Sequence, residues 1–168
     1  MPEIIAHRAN LTGIEPSFEN LIRPIEIALK KGFKVEVDVR FYQDRIYLGH
    51  DNPQELLPAN FYGEKSIYFH CKDMKSLLLF QKYYRGSNFF THDNDEATIT
   101  SKGMLWIHPE TLPALFADQD NFDFSRAVAV LPERKGLLYN EDHLKFLGKF
   151  YGICTDYPER YKEAFDNV

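Results

Sequence analysis

Cysteine is scarce in this chain. Cys71 and Cys154 are the full complement among 168 residues, and each lies in an apolar stretch. Two such thiols make no disulfide framework, so the expected setting is a reducing compartment, the cytoplasm. Long apolar runs are missing too, and nothing approaches the ~20 residues that a membrane-spanning helix needs. The opening MPEIIAHR lacks a basic segment followed by an apolar one, so no secretory leader is expected. Positive charge is in the minority, with 20 Lys and Arg against 25 Asp and Glu and a net charge of -5. No basic run or arginine-rich arm is present, which argues against a nucleic-acid partner. There is no glycine loop of the phosphate-cradling type and no nucleophilic-serine motif, which removes support for other nucleotide-binding and hydrolase readings.

Aromatic residues, by contrast, are plentiful at 15%, with 14 Phe and 10 Tyr. Few but large side chains suit one well-filled core. The length supports a single domain over residues 1–168. Short apolar strands are read at 4–6, 34–42, 46–49, 66–71, 88–91, 104–107, 127–131 and 152–155. Helices are read at 17–31, capped by Ser17 and interrupted at Pro24, and at 73–84, 110–117, 141–149 and 158–165. Gln43–Arg45 is a hairpin turn after the second strand. Strands alternating with helices predict a mainly parallel sheet with right-handed crossovers.

Groups capable of chemistry follow nearly every strand: His7-Arg8, Glu36/Asp38, His70/Lys72, His92-Asp93, His108 and Thr155-Asp156. A ring of polar groups at strand C-termini is the pattern of an α/β barrel's active face. A full (β/α)8 barrel takes about 250 residues, and there is hardly room for a helix between His92 and Met104. The expected fold is therefore an α/β, reduced TIM-type barrel, with a hairpin after strand 2 and several helices shortened or missing.

In KVEVDVRFYQDRIYLGHD, residues 34–51, Val35, Val37 and Val39 alternate with Glu36, Asp38 and Arg40. Glu36 and Asp38 share one face of a strand and suit a hard divalent cation. The competing account is a solvated strand face. A two-residue turn pairs His50 with Val37, whereas a three-residue turn places it on the face of Asp38. Either way His50 returns to the level of the carboxylates with a pKa suited to proton transfer. His7 ends the first strand beside Arg8, whose fork of donors suits phosphate. Tyr68, His70 and Lys72 share one side of their strand. Two histidines, a divalent metal, an Arg and a Lys suffice for phosphodiester cleavage.

These residues resemble the glycerophosphodiester phosphodiesterase family of the phospholipase-C-like TIM-barrel superfamily. The pieces that carry the resemblance are IIAHRAN, PSFENL, VEVDVRFYQDRIYLGHD and GICTDYPER. The resemblance implies that His7 and His50 are the acid–base pair. It also implies that Arg8 and Lys72 contact phosphate, that Glu36 and Asp38 bind metal, and that Glu19 braces the site. In FHCK, His70 stands where the family has a glutamate ligand, and Ala9 stands where it has glycine. The implied cofactor is Mg²⁺ or Ca²⁺, with Mn²⁺ or Zn²⁺ brought in by His70. The implied activity is metal-dependent hydrolysis of a glycerophosphodiester, a small-molecule substrate. The competing readings are a barrel that binds phosphorylated ligands without turnover and a lyase-type phospholipase that releases a cyclic phosphate. Tyr83-Tyr84 and Phe89-Phe90 are candidates for a homodimer interface, with core packing as the other use of the same residues.

Overall fold

Each central strand carries two faces of different chemistry, and the sheet sorts them to opposite sides. The computed structural model describes residues 1–167. In chain order the elements are β1 (Glu3–His7), α1 (Ile22–Lys30), β2 (Lys34–Tyr42), β3 (Arg45–Leu48), β4 (Glu55–Leu56), β5 (Ile67–Cys71), α2 (Met74–Tyr83) and β6 (Asn88–Phe90). They continue with β7 (Ala97–Ile99), β8 (Leu105–Ile107), α3 (Leu112–Ala117), β9 (Ala127–Val130), α4 (Glu141–Leu147), β10 (Gly152–Thr155) and α5 (Pro158–Asp166).

All ten strands belong to one sheet. Its parallel run is β6-β5-β2-β1-β10-β9-β8. β3 pairs antiparallel with the C-terminal half of β2, β4 with β3, and β7 with β8. The sheet curls until its two ends meet. Phe90 packs on Trp106 with centroids 4.8 Å apart, and His92 on His108 at 4.2 Å. Ser101 N–H, between β7 and β8, donates to the Phe89 carbonyl at 2.8 Å. The result is a curled, partly open sheet rather than a full barrel. As the spacing requires, no helix joins β6 to β8, and the antiparallel β7 fills that gap.

The valine face of β2 turns outward. Val35, Val37 and Val39 are fully buried with Ile67, Phe69, Phe80, Phe146 and Tyr161 in the layer between sheet and helices. Burying each valine contributes about 1.5–3 kcal/mol. A second, smaller core fills the inside of the curl: Ile5, Tyr68, Phe90, Trp106, Val128 and Cys154. Strand side chains alternate with period two, so the next inward position on most of these strands is polar. Ile5 is followed by His7, Tyr68 by His70, Phe90 by His92, Trp106 by His108, and Cys154 by Asp156. The ionisable face of β2 is thus interior and not a wet hairpin surface.

One expectation changes, and two open alternatives are decided. The first helix begins at Ile22, with Leu21 at its cap position and no cap from Ser17. Asn20 is held at φ +56 with its amide on Asp38, and Ile22 N–H donates to Glu55 Oε2 at 2.8 Å. Residues 16–20 therefore form a turn, and Pro24 falls in the first helical turn, where it is tolerated without a kink. Phe89 and Phe90 are buried core residues, so of the aromatics considered for an interface only Tyr83 is strongly exposed. The hairpin takes the two-residue option: Tyr42 pairs with Arg45, and Gln43 and Asp44 both have positive φ.

Gly49 closes that hairpin and launches His50. Its φ is +140, and a Cβ there would lie 2.0 Å from the Asn52 carbonyl oxygen. Gly49→Ala is expected to destabilise the fold by at least ~1–3 kcal/mol, the range for a backbone forced out of its region. Chemical denaturation of the wild type and variant measures this directly. A variant of unchanged midpoint would show that the turn tolerates a side chain.

Candidate active site

At the C-terminal end of the sheet, β1 stops in two left-handed residues, Arg8 (φ 51) and Ala9 (φ 64). This is the conformation that glycine adopts at no cost, and alanine here accepts strain. The bend aims the Arg8 N–H at Glu36 Oε2, 3.1 Å away. The Arg8 side chain folds across the carboxylates, with Nη1 donating to Glu19 Oε2 at 3.1 Å and Nε 3.1 Å from Asp38 Oδ2. Glu19 also accepts from Asn10 Nδ2 at 2.9 Å. Asn20 clamps Asp38 twice: its Nδ2 donates to Oδ2 at 3.0 Å, and its Oδ1 accepts the Asp38 N–H at 2.8 Å.

Glu36 and Asp38 are 3% and 1% exposed. His70 joins them from β5, which pairs Asp38 with His70 in register. Its Nδ1 is 2.9 Å from Asp38 Oδ1 and 3.8 Å from Glu36 Oε1. One ligand atom from each of Glu36, Asp38 and His70 lies within 4.8 Å of the others. Asp38 Oδ1 and His70 Nε2 are buried without a well-aligned hydrogen bond. Two oxygens and a ring nitrogen, with an orphaned carboxylate oxygen among them, fit a divalent cation.

The electrostatics separate the two carboxylates. Burial, then the charge of Asp38, pushes Glu36 up to about 7 despite His7 and Arg8. Burial would also raise Asp38, but the His70 ring, Arg8 and His50 hold it well below the usual carboxylate range. Burial lowers the pKa of His70 itself, with Lys72 and His50 adding to the effect. Of these groups Arg8 is the permanent cation, with Nε 3.1 Å from Asp38 Oδ2.

His7 is fixed from the end of the neighbouring strand, β10. Its Nδ1 is 2.7 Å from Asp156 Oδ1, which also accepts from Asn10 Nδ2 at 2.9 Å. Nε2 faces inward, 3.9 Å from Glu36 Oε2. Burial would depress His7, but the Asp156 hydrogen bond and the Glu36 charge outweigh it, so its pKa is raised. His50, on the rim, has the same design: Nδ1 lies 2.7 Å from Asp51 Oδ1, and Nε2 lies 3.4 Å from Lys72 Nζ. Lys72 Nζ is 3.9 Å from Asp38 Oδ1. His7, Arg8, Glu36, Asp38, His50, His70 and Lys72 thus border one cleft of about 490 Å³, and Glu19, bound to Arg8, lies outside that lining.

The cleft holds residues given no role by the sequence reading. His92 stacks on His70 at 4.3 Å, and burial, reinforced by His70, pushes its pKa down to about 4. His108 packs against His92 at a tilt of 54°, with Nδ1 on the Asp95 carbonyl and Nε2 buried without a partner among the described residues. Arg134 also lines it, while Asp156 and Asn10 act from outside the lining through His7 and Glu19. The signal for His92, His108 and Asp156 was their place just past a strand; Arg134 and Asn10, on turns, gave none.

In divalent-free buffer, the stability contributed by Glu36 is expected to fall as pH rises from about 5 to 8, against an opposing gain up to about pH 6.5 from His92 and His70, whose pKa values burial lowers. The folded-state pKa of Glu36, about 7, lies above its ordinary 4.5. Its contribution is therefore fully present below pH 4.5 and is lost as pH climbs through 7, at most ~3 kcal/mol. His7, also raised, adds a loss of the same sign. Thermal melts across pH should show a shallower slope for Glu36→Gln, and a shallower one for the wild type with saturating divalent cation. Equal slopes in all three would remove Glu36 as the titrating group.

No family model matches the chain, and no curated protein matches it. Among solved structures, the chain is similar to a Galdieria sulphuraria protein provisionally described as a glycerophosphodiester phosphodiesterase. That match has a TM-score of 0.55 and 14% sequence identity, and covers 99% of this chain and 98% of the other. At that identity the likeness is one of fold: a curled α/β sheet of the reduced-barrel kind, shared over essentially the full length.

Proposed function

We propose that residues 1–168 act as one phosphodiesterase unit that hydrolyses a glycerophosphodiester with His7 and His50 as the acid–base pair. The observation that carries this reading is the shared construction of the two histidines. Each has a carboxylate on Nδ1, Asp156 for His7 and Asp51 for His50, and each presents Nε2 toward the same cleft. One takes the proton of the attacking water, and the other delivers a proton to the leaving alkoxide. The likeness in fold to the Galdieria protein supports the same class of substrate.

Glu36, Asp38 and His70 would hold the divalent cation. Such a cation, when bound, supplies charge for a non-bridging phosphate oxygen and lowers the barrier electrostatically. Arg8 fixes the geometry of both carboxylates, through its N–H to Glu36 and its side chain against Asp38. Lys72, at the boundary of His50 and Asp38, offers an ammonium to the phosphate and keeps the His50 ring directed inward.

His7→Asn and His50→Asn should each lower turnover of glycerophosphodiesters by about 10²–10⁴ while leaving the circular dichroism spectrum intact. Phosphorus NMR of the wild-type product is expected to show a monoester; a persistent cyclic ester would favour the lyase-type course instead. Near-normal activity in both variants would remove the histidine pair from the mechanism.

The ligand set also predicts metal preference. An imidazole is a weak ligand for Mg²⁺ and Ca²⁺ but a good one for Mn²⁺ and Zn²⁺. His70→Glu should raise Mg²⁺ or Ca²⁺ affinity in titration calorimetry, and His70→Ala should weaken Mn²⁺ and Zn²⁺ binding. Unchanged affinities for every cation would place His70 outside the ligand set.

A further inference from the structure

The main cleft is not the whole of the concave surface. A neighbouring cleft of about 370 Å³ adjoins it, and the two share three residues: Arg8, His50 and Arg134. Arg8 and His50 are already engaged. Arg8 is tied to Glu19 and Asp38, and His50 lies between Asp51 and Lys72. Arg134 is different. Its side chain is 48% exposed, and among the described residues it makes a single polar contact, an Nη2 donation to Asp156 Oδ2 at 3.3 Å. A guanidinium carries five N–H donors, so most of this one remains uncommitted. A half-exposed pair of this kind adds little to stability.

The base of that arm is held firmly. Arg134 lies on the 3-10 turn Pro132–Lys135, entered through Leu131 at φ +47. The neighbouring Glu133 is largely buried, and its Oε1 accepts from Thr155 Oγ1 and from the Asp156 N–H, each at 2.9 Å. The turn is thereby fastened to the end of β10, which also carries the Asp156 that orients His7. A fixed stalk thus carries a guanidinium with most of its donors uncommitted at the boundary of two clefts.

The two clefts differ in lining. Phe90, Trp106, His92 and His108 give the first a wall of rings beside the acidic Asp93, Asp95, Glu96 and Glu110, whereas Ile14, Pro16, Asn52 and Gln54 give the second an apolar and amide wall beside Glu19 and Asp51. We infer that Arg134 is a phosphate ligand at their junction, binding a non-bridging oxygen of a diester whose two unlike alcohol arms lie one in each cleft. This rests on the phosphodiester reading above and extends it from the residues that resemble a known family to one that does not. Arg8, with its donors turned to carboxylates, then has a bracing role, and the anion is held by Lys72 and Arg134. Planar, forked donors suit a phosphate better than a point charge does.

The test is calorimetric titration of inorganic phosphate and of glycerol 3-phosphate, in Mg²⁺ buffer, into wild type, Arg134→Gln, Arg134→Lys and Lys135→Gln. Lys135 is on the same turn but pairs with Glu110, so its variant removes the same charge without touching the junction. Arg134→Gln should weaken both probes about tenfold or more, Arg134→Lys by less, and Lys135→Gln by no more than about twofold. An Asp156→Asn background separates direct contact from an effect through Asp156: there, Arg134→Gln should still cost about as much. Equal small losses in the two Gln variants, disappearance of the Arg134 effect in Asp156→Asn, or no binding of either probe by wild type would each overturn the inference. Loss of probe binding in Arg134→Gln together with a wild type inert toward every diester would leave this inference standing and remove the catalytic reading.

Discussion

Two carboxylates buried side by side inside the sheet set the terms for the rest of the site. Glu36 and Asp38 point inward from one strand because alternate positions share a face. Removing an ionised carboxylate from water costs several kcal/mol even after relaxation, and placing two together adds repulsion. The structure answers with a surrounding of donors: the Arg8 N–H and guanidinium, the Asn20 amide, the His70 ring and the His7 ring. The two groups then diverge, Asp38 remaining ionised and Glu36 moving toward neutrality. Such a pair suits a divalent cation, which would relieve both the repulsion and the orphaned oxygen.

The backbone is bent to serve the same end. Arg8, Ala9 and Asn20 all occupy left-handed conformations that residues other than glycine enter at a cost. The two left-handed residues that end β1 aim a backbone N–H at Glu36; Asn20 turns its amide onto Asp38. The turn at Asn20 also explains why the first helix starts late: residues 16–20 are used to brace the carboxylates before the helix can begin. Strain of this kind persists where the surrounding contacts over-determine it, and here Glu19, Asn10 and Asp156 supply those contacts.

The sheet achieves this with fewer parts than a full barrel. Between β6 and β8 the expected crossover helix is replaced by the short antiparallel β7, and the ends of the sheet meet through ring stacking and a few hydrogen bonds. That seam is where His92 and His108 enter the cleft. The economy in chain length therefore gives the pocket a wall of imidazoles opposite its charged groups. Fold alone does not fix chemistry, and this wall is a property of the present chain.

The sequence by itself determined the shared strand face of Glu36 and Asp38, the strand-end histidines and the kind of fold, whereas the curl of the sheet decided that this face is interior. The first three follow from period-two alternation and from polar residues placed directly after apolar runs, which are local patterns. It also narrowed the hairpin to two registers, and the Gln43-Asp44 turn geometry chose between them. Tertiary structure alone decided the remainder. Asp156 reaches His7 across 149 residues of sequence, and Arg134 arrives at the junction only because Glu133 fastens its turn to β10. The helix start yielded to Asn20, and Phe89 and Phe90 went to the core because the curl needed its ends filled. Partners brought together by sheet order and curvature leave no periodic trace in the chain, since their spacing depends on the lengths of the intervening elements and not on the residues themselves.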